Sequence, residues 1–189
     1  MVCALGFRAH MGWANAVVLT GVPDEPVVVD RRDVQLRPRD GGIGFPYHAA
    51  ADVPPDEREA VLAKGMRDTE LRATDVLMEL AADVEADAIG VVIGRGVRRI
   101  PLDRILASSQ LFHTAEGEVY QLALRGAATN LGLPLSTVTF DGAQEHEAWD
   151  IVGGLRKQVG APWQKDHKFA AVAAWVAALS APPSPFSRE

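Results

Sequence analysis

Basic side chains follow the predicted strands of this sequence at points where ligands often bind. Arg8 and His10 come at the end of a β-rich first segment, and Arg95 follows a short apolar segment. Open α/β sheets commonly bind ligands at the ends of their strands. If Lys168, near the start of the last predicted helix, lies at the same edge, four basic groups meet there. Such a group suits an anion: phosphate, a carboxylate or a nucleotide tail.

Asp166 lies two residues before Lys168 and would moderate this positive field. In the alternative interpretation, Asp166 only caps the last helix. Arg8 and Lys168 are then solvated residues at the ends of a strand and a helix. Both interpretations stay open on the sequence alone.

Tyr47 and His48 lie in the segment 37–55, where prolines and glycines predict a long loop. Such a loop could form a lid over the strand ends, and His10 with His48 could then act as an acid–base pair, because imidazole titrates near neutral pH. The alternative is a His48 that bonds to the backbone beside a packed Tyr47. The other histidines lack the spacing of paired metal ligands, so we predict neither a metal site nor a cofactor: His113, His146 and His167.

A short basic run occupies positions 95–104, and two further arginines could lie beside it across the sheet. A nucleic-acid surface needs such clustering, but aromatic residues are not interleaved here, and runs of charge are usually solvated faces. The sequence also lacks a P-loop, a dinucleotide fingerprint and a serine-hydrolase elbow. The arginines of this predicted surface are Arg95, Arg98, Arg99, Arg104, Arg31 and Arg32.

The composition limits the classes of protein that the sequence can form. With 189 residues, 48% of them hydrophobic, we predict one domain over 1–180 and a flexible tail over 181–189. A net charge of −6 argues against a diffuse basic surface for nucleic acid. The single cysteine, Cys3, and the lack of a long apolar run predict a cytoplasmic protein that does not enter a membrane.

Hydrophobic spacing predicts an ordered series of strands and helices. Alternating and β-branched residues indicate three strands that form a meander, and apolar residues at steps of three and four indicate one long amphipathic helix over 56–85. A continuous apolar run over 88–93 indicates a strand buried on both faces, which should be central and parallel. We predict strands at 2–8, 13–20, 26–36, 88–93 and 135–140, and helices at 56–85, 102–111, 116–131, 145–159 and 166–179.

This order resembles the ribonuclease-H-like fold, in its Holliday-junction resolvase branch. The segment 4–14 is similar to the family's first hairpin, 120–135 to its helix, turn and last strand, and 155–179 to its alanine-rich final helix. The resemblance implies a five-stranded mixed α/β sheet, with three antiparallel strands followed by two parallel ones and helices on both faces. The strings at 6–13 and 46–50 also resemble a group of uncharacterised bacterial proteins, which implies no activity.

The resemblance also implies where catalytic carboxylates would lie. That family holds two divalent ions with carboxylates from the first strand, the central strand and the last helix. This sequence has Arg8 at the first of these positions and Gly94-Arg95 at the second, while Asp166 is the one carboxylate at the third. We therefore predict that the protein is not a metal-dependent nuclease, because nearby cations oppose the binding of divalent ions.

Three functions stay open at this point. The first is a catalytically degenerate ribonuclease-H-like domain that binds an anion or nucleotide, or acts as a scaffold. The second is a small-molecule enzyme that uses His10 and His48, and the third is a nucleic-acid binder that uses the run 95–104 without cutting. The predicted core is Leu5, Val18, Val29, Leu77, Ile89, Val91, Leu122, Val138 and Val172.

Overall fold

The computed structural model describes residues 1–97 and 99–182, which form one sheet covered by helices on both faces. The strands are β1 (Ala4–Ala9), β2 (Trp13–Thr20), β3 (Val27–Gln35), β4 (Ala88–Ile93) and β5 (Leu135–Thr139). The helices are α1 (Pro46–Ala51), α2 (Arg58–Val84), α3 (Leu102–Leu106), α4 (Ser109–Asn130), α5 (Phe140–Glu145), α6 (Ala148–Gly154), α7 (Arg156–Val159) and α8 (Lys165–Ser180).

The sheet has the predicted architecture. Its strand order is β3-β2-β1-β4-β5. The strands β1, β2 and β3 pair antiparallel, whereas β4 pairs parallel with both β1 and β5. The prediction that the 88–93 strand lies inside the sheet, with parallel neighbours, is therefore confirmed.

Side chains alternate between two buried cores, one on each face of the sheet. Leu5 and Phe7 of β1 pack with α2 and α4, whereas Ala4 of the same strand faces α8. This alternation follows from the two-residue period of a strand. The predicted core is confirmed at Leu5, Val18, Leu77, Ile89, Val91 and Val172, and Leu122 and Val138 are partly buried.

Val29 was predicted in the core, but it is 57% exposed. Leu19 pairs with Val28 and Val18 pairs with Asp30, so Val29 is the extra residue of a β-bulge on the edge strand β3. A bulge interrupts the alternation of side chains between the two faces.

Three segments differ from the sequence prediction in their helices. The predicted loop 37–55 contains α1, which begins at Pro46, a residue well suited to the first turn of a helix. The break between α3 and α4 falls at Ser108, whose side chain caps α4 by accepting a hydrogen bond from the Leu111 backbone N–H. The predicted helix 145–159 is divided among the end of α5, α6 and α7.

The backbone of α8 lies directly on the sheet at two paired glycines. Gly6 of β1 is the register partner of Gly90 of β4. A Cβ atom on Gly6 would overlap the carbonyl oxygen of Ala170, and one on Gly90 would overlap that of Ala173. This close approach fixes α8 along β1 and β4, so that its first turn reaches the ends of those strands.

Among the described residues, no helix has the length and apolar character needed to cross a membrane. The predicted flexible tail 181–189 lies outside the described residues from position 183 onward.

Candidate functional site: a cleft at the strand ends

A cleft of about 520 Å³ opens where β1 and β4 end. The end of β1, the segment after β4, the first half of α4 and the start of α5 form its walls. Its lining residues are Arg8, Ala9, His10, Met11, Gly94, Arg95, His113, Thr114, Gly117, Glu118, Gln121 and Phe140. The structure thus brings three of the four predicted anion-binding residues to one cleft.

The Arg8 side chain, which is 20% exposed, crosses from β1 to α8 and α5. Its Nε lies 3.4 Å from Oδ1 of Asp166, and its guanidinium carbon lies 4.6 Å from the centre of the Phe140 ring. One terminal nitrogen donates a hydrogen bond to the carbonyl of Ala9. Burial lowers the pKa of Arg8, and the charge of Asp166 opposes that shift. Arg8 is therefore a cation that has lost part of its water and has one anionic partner.

His10 lies on the other side of Asp166. Its Nε2 is 3.5 Å from Oδ2 of Asp166 and 3.3 Å from Oδ1 of Asn15, and its ring stacks on Trp13 with the centroids 4.1 Å apart. Asn15 in turn donates to Asp33 at 2.7 Å. Since Nε2 faces two acceptors, it carries the proton in the neutral ring, and Nδ1 is the acceptor nitrogen.

The pKa of His10 responds to both charges beside it. Burial lowers this pKa, and so does the positive charge of Arg8, whereas Asp166 raises it. We expect Arg8→Ala to raise the pKa of His10 and Asp166→Asn to lower it. NMR titration of the His10 ring protons measures both changes, and shifts in the opposite directions would contradict the assigned contacts.

Helix α4 holds the segment that follows β4. The backbone N–H of Gly94 donates to Gln121 at 3.0 Å, and that of Val97 donates to Glu118 at 2.8 Å. These bonds place Arg95, between the two anchored residues, at the cleft. The position of Arg95 therefore depends on polar side chains of α4 that the sequence analysis did not single out.

Lys168 does not line the cleft. Its Nζ lies 4.1 Å from the centre of the Trp149 ring, on the side of α8 that faces α6. At about 100° per residue, a position two residues after Asp166 points to nearly the opposite side of the helix. The prediction that Lys168 joins the other three basic residues at the cleft is wrong. Asp166, which lies beyond the helix cap Gln164, is an ion-pair partner rather than the cap itself.

Tyr47 and His48 lie in α1 and not in a lid over the cleft. Tyr47 is buried in the core that α2 and α4 form with the sheet. Nδ1 of His48 lies 2.8 Å from Oε2 of Glu116, and the backbone N–H of His48 donates to the same oxygen at 3.1 Å. The predicted pairing of His10 with His48 is wrong, because in the described structure each ring has its own carboxylate partner.

Glu116 is a residue that the sequence analysis missed. It is 0% exposed, and its position in α4 repeats with buried Val119, Tyr120 and Ala123 at steps of three, four and seven. An acidic residue in the apolar stripe of a helix is a signal that could have identified it.

The arginines of the basic run do not form one surface with those of β3. Arg31 donates to carbonyls of residues 159–162, and Arg32 pairs with Asp30 and Asp83. Two strands, β2 and β1, separate β3 from β4. Of the run itself, Arg95 lines the cleft, Arg99 and Arg104 are exposed, and Arg98 lies outside the described residues.

The cleft residues do not fit a pair of divalent ions. Asp166 is engaged by Arg8 and His10, and Glu118 accepts the Val97 N–H. Within residues 1–97 and 99–182, no group of three or more His, Cys, Asp or Glu side chains is arranged to hold a metal. A divalent ion at this point would also lie beside the Arg8 cation, which opposes its binding.

The mixed sheet, its strand order and its two helical layers define a ribonuclease-H-like fold, as the sequence resemblance implied. The solved structure of Thermus thermophilus RuvC in complex with Holliday junction substrate is similar to this chain, with a TM-score of 0.55 and 14% identity over 93% of this chain and 91% of that one. A second Thermus thermophilus RuvC structure has a TM-score of 0.51 and 12% identity over 92% and 91% of the two chains. No protein-family model and no curated protein matches the sequence.

Proposed function

We propose that this chain is a resolvase-like domain that binds a small phosphorylated ligand of the nucleotide class at the strand-end cleft and does not carry out metal-dependent cleavage. One observation carries the proposal. The guanidinium of Arg8, paired with Asp166, occupies the junction of β1, α5 and α8, beside the end of β4.

The arginines at this junction offer hydrogen-bond donors to an anion. Arg8 and Arg95 supply guanidinium donors with the geometry that matches phosphate oxygens. Two carboxylates lie beside them and are already engaged, Asp166 by Arg8 and Glu118 by the backbone N–H of Val97. His10 and His113 add two imidazole side chains to the wall.

The shape of the cleft fits a small ligand. A volume of about 520 Å³ lies in the ordinary range of small-molecule sites. The Phe140 ring supplies an apolar wall, and Gly117 leaves the space beside the backbone of α4 open. A nucleotide presents the matching features, a charged phosphoryl group and a flat apolar base.

Binding of nucleic acid without cleavage is the second candidate. Its support is that a structure with the same fold holds a Holliday junction. The net charge of −6 and the separation of Arg31 and Arg32 from the cleft favour the smaller ligand.

Two assays with the purified chain test the proposal. Incubation of a four-way DNA junction with the protein in Mg²⁺ or Mn²⁺ should give no cleavage, whereas calorimetry with a nucleoside monophosphate should show binding. Metal-dependent cleavage that Asp166→Ala abolishes would overturn the proposal.

Salt dependence separates the two candidates. A small ligand with one phosphoryl group should give a shallow decrease of affinity with salt, because few counterions are released. Junction binding with a steep salt dependence, together with no binding of the nucleotide, would favour the second candidate instead.

A further inference from the structure

The pair formed by His48 and Glu116 has the arrangement of an acid–base group. Glu116 is 0% exposed, while the His48 side chain is 48% exposed. A single carboxylate oxygen, Oε2, accepts from both the backbone N–H and Nδ1 of His48. The buried acid thus contacts both the backbone and the accessible imidazole of His48.

The buried environment of Glu116 disfavours the ionised form of its side chain. Its second oxygen, Oε1, is buried without a hydrogen-bond partner in the described structure. Burial raises the pKa of Glu116, although the contacts with His48 and a hydrogen bond from the Tyr47 backbone oppose that shift. Taking a carboxylate out of water costs stability that its hydrogen bonds offset only in part. The clearest effect of Glu116 is on the histidine that it contacts.

Glu116 fixes the orientation and tautomer of His48. An ionised carboxylate only accepts hydrogen bonds, so Nδ1 of His48 carries the proton that it donates. The other nitrogen, Nε2, is then a free acceptor, and no described residue bonds to it. The rings of Phe45 and Phe112 lie edge-on to His48 at 5.6 and 4.5 Å between centroids and hold its plane.

His113 connects this pair to the strand-end cleft. Its ring centroid is 6.5 Å from that of His48, and the same side chain lines the cleft with Arg8 and Arg95. His113 is exposed in the first turns of α4. The 6.5 Å separation lets both rings contact oxygens of one phosphoryl group that lies between them.

We propose that His48, held by Glu116, and His113 form a general base and a general acid that cleave a ribonucleoside phosphodiester bound at the mouth of the cleft. This inference rests on the proposed function, because it requires a nucleotide phosphoryl group at that place. Here Glu116 is a positioning residue.

The proposed reaction needs no metal and no second substrate. Nε2 of His48 takes the proton of the ribose 2′-hydroxyl while the 2′ oxygen attacks phosphorus. The bond between phosphorus and the 5′ oxygen breaks, and protonated His113 donates its proton to that oxygen. The products are a 2′,3′-cyclic phosphate and a 5′-hydroxyl, and exchange with water returns both histidines to their starting states.

The groups around the pair are compatible with this proton transfer. Tyr120, one turn after Glu116, donates to the carbonyl of Gly44, and burial followed by the Glu116 charge raises its pKa, so it stays neutral. Arg37 is the nearby cation that acts on Tyr120. Arg8 and Arg95 are placed to stabilise negative charge that develops on the phosphoryl oxygens.

The experiment compares two fluorescent oligonucleotides of one sequence, one all ribose and one all deoxyribose, in EDTA. The wild-type chain should cleave the ribose substrate to a cyclic phosphate and leave the deoxyribose substrate intact. His48→Ala and His113→Ala should each reduce kcat about 100-fold or more. His146→Gln, purified in the same way, is the control for contaminating nucleases and should leave the rate unchanged.

Glu116→Gln separates positioning from folding. This change removes a buried charge, so the variant should stay folded, with a melting temperature at neutral pH no lower than that of the wild type. Its kcat should fall at least tenfold with little change in KM.

The outcomes distinguish this inference from the proposed function. Binding of a nucleoside monophosphate, with no cleavage of the ribose substrate, would overturn the acid–base pair and leave the binding proposal intact. Absence of binding would overturn both. Full activity in His48→Ala, or equal cleavage of the deoxyribose substrate, would also contradict the inference.

Discussion

Replacing Arg8 with alanine is expected to weaken the binding of a nucleoside monophosphate by more than tenfold, which is about 1.4 kcal/mol. Arg8 is the cation at the junction of β1 and α8, and it is held by Asp166 and the Phe140 ring. A hydrogen bond to a charged group commonly contributes this much. Isothermal titration calorimetry of both proteins at one salt concentration measures the difference.

Two matched variants make this result specific. Arg8→Lys keeps the charge but loses the planar fork of donors. Its affinity should therefore be intermediate between those of the wild type and Arg8→Ala. Arg32→Ala removes an arginine that pairs with Asp30 on β3, and it should leave the affinity unchanged. Equal loss of affinity in Arg8→Ala and Arg32→Ala would mean that only overall charge matters.

Replacing Gly90 with alanine is expected to cost about 3 kcal/mol or more of the free energy of unfolding, or to prevent folding. The added Cβ would overlap the backbone carbonyl of Ala173, so a strand or a helix must move. Overpacking of a core with methylene groups already costs about 1–3 kcal/mol, and backbone gives way less readily than a side chain. Urea denaturation of the two proteins provides the comparison.

Gly154→Ala is the control for this prediction. A Cβ at Gly154 meets no atom within 4 Å, so this variant should be as stable as the wild type or slightly more stable. Similar stability of Gly90→Ala and Gly154→Ala would contradict the close approach of α8 to the sheet.

Local patterns were sufficient to predict most of the fold. The continuous apolar run at 88–93 indicated a strand buried on both faces, and β4 has these bounds and lies between two parallel neighbours. Steps of three and four indicated the long helix, which extends over Arg58–Val84. Both signals arise because burial of one face or of two faces imposes a period on the sequence.

Features set by pairing and by short-range capping were harder to predict. Val29 ends a run of three valines, so its hydrophobicity alone indicated the core, but it is the unpaired residue of the bulge in β3 and is exposed. The helix α1 is short and follows glycines and a proline, so composition indicated a loop. In both cases contacts with a neighbouring element decide the conformation of the backbone.

The candidate site, like the fold, was predictable from the sequence only in part. Arg8, His10 and Arg95 meet because strand ends share one edge of the sheet, a rule that sequence reasoning can apply. Lys168 was misplaced because the rotation of α8 relative to the cleft depends on packing. The contact between His48 and Glu116 joins residues 68 positions apart, which no local pattern encodes.

The most direct test of the account is an NMR titration of the isotope-labelled chain with a nucleoside monophosphate. Binding at the strand-end cleft predicts saturable shift changes in the Arg8 Nε–H, in the His10 and His113 rings and in the backbone amides of Gly94 and Arg95. Signals of the turn 21–25, at the opposite end of the β1–β2 pair from the cleft, should stay unchanged. Saturable changes confined to residues outside the cleft, or no change at millimolar ligand, would contradict the claim that this cleft binds phosphorylated ligands.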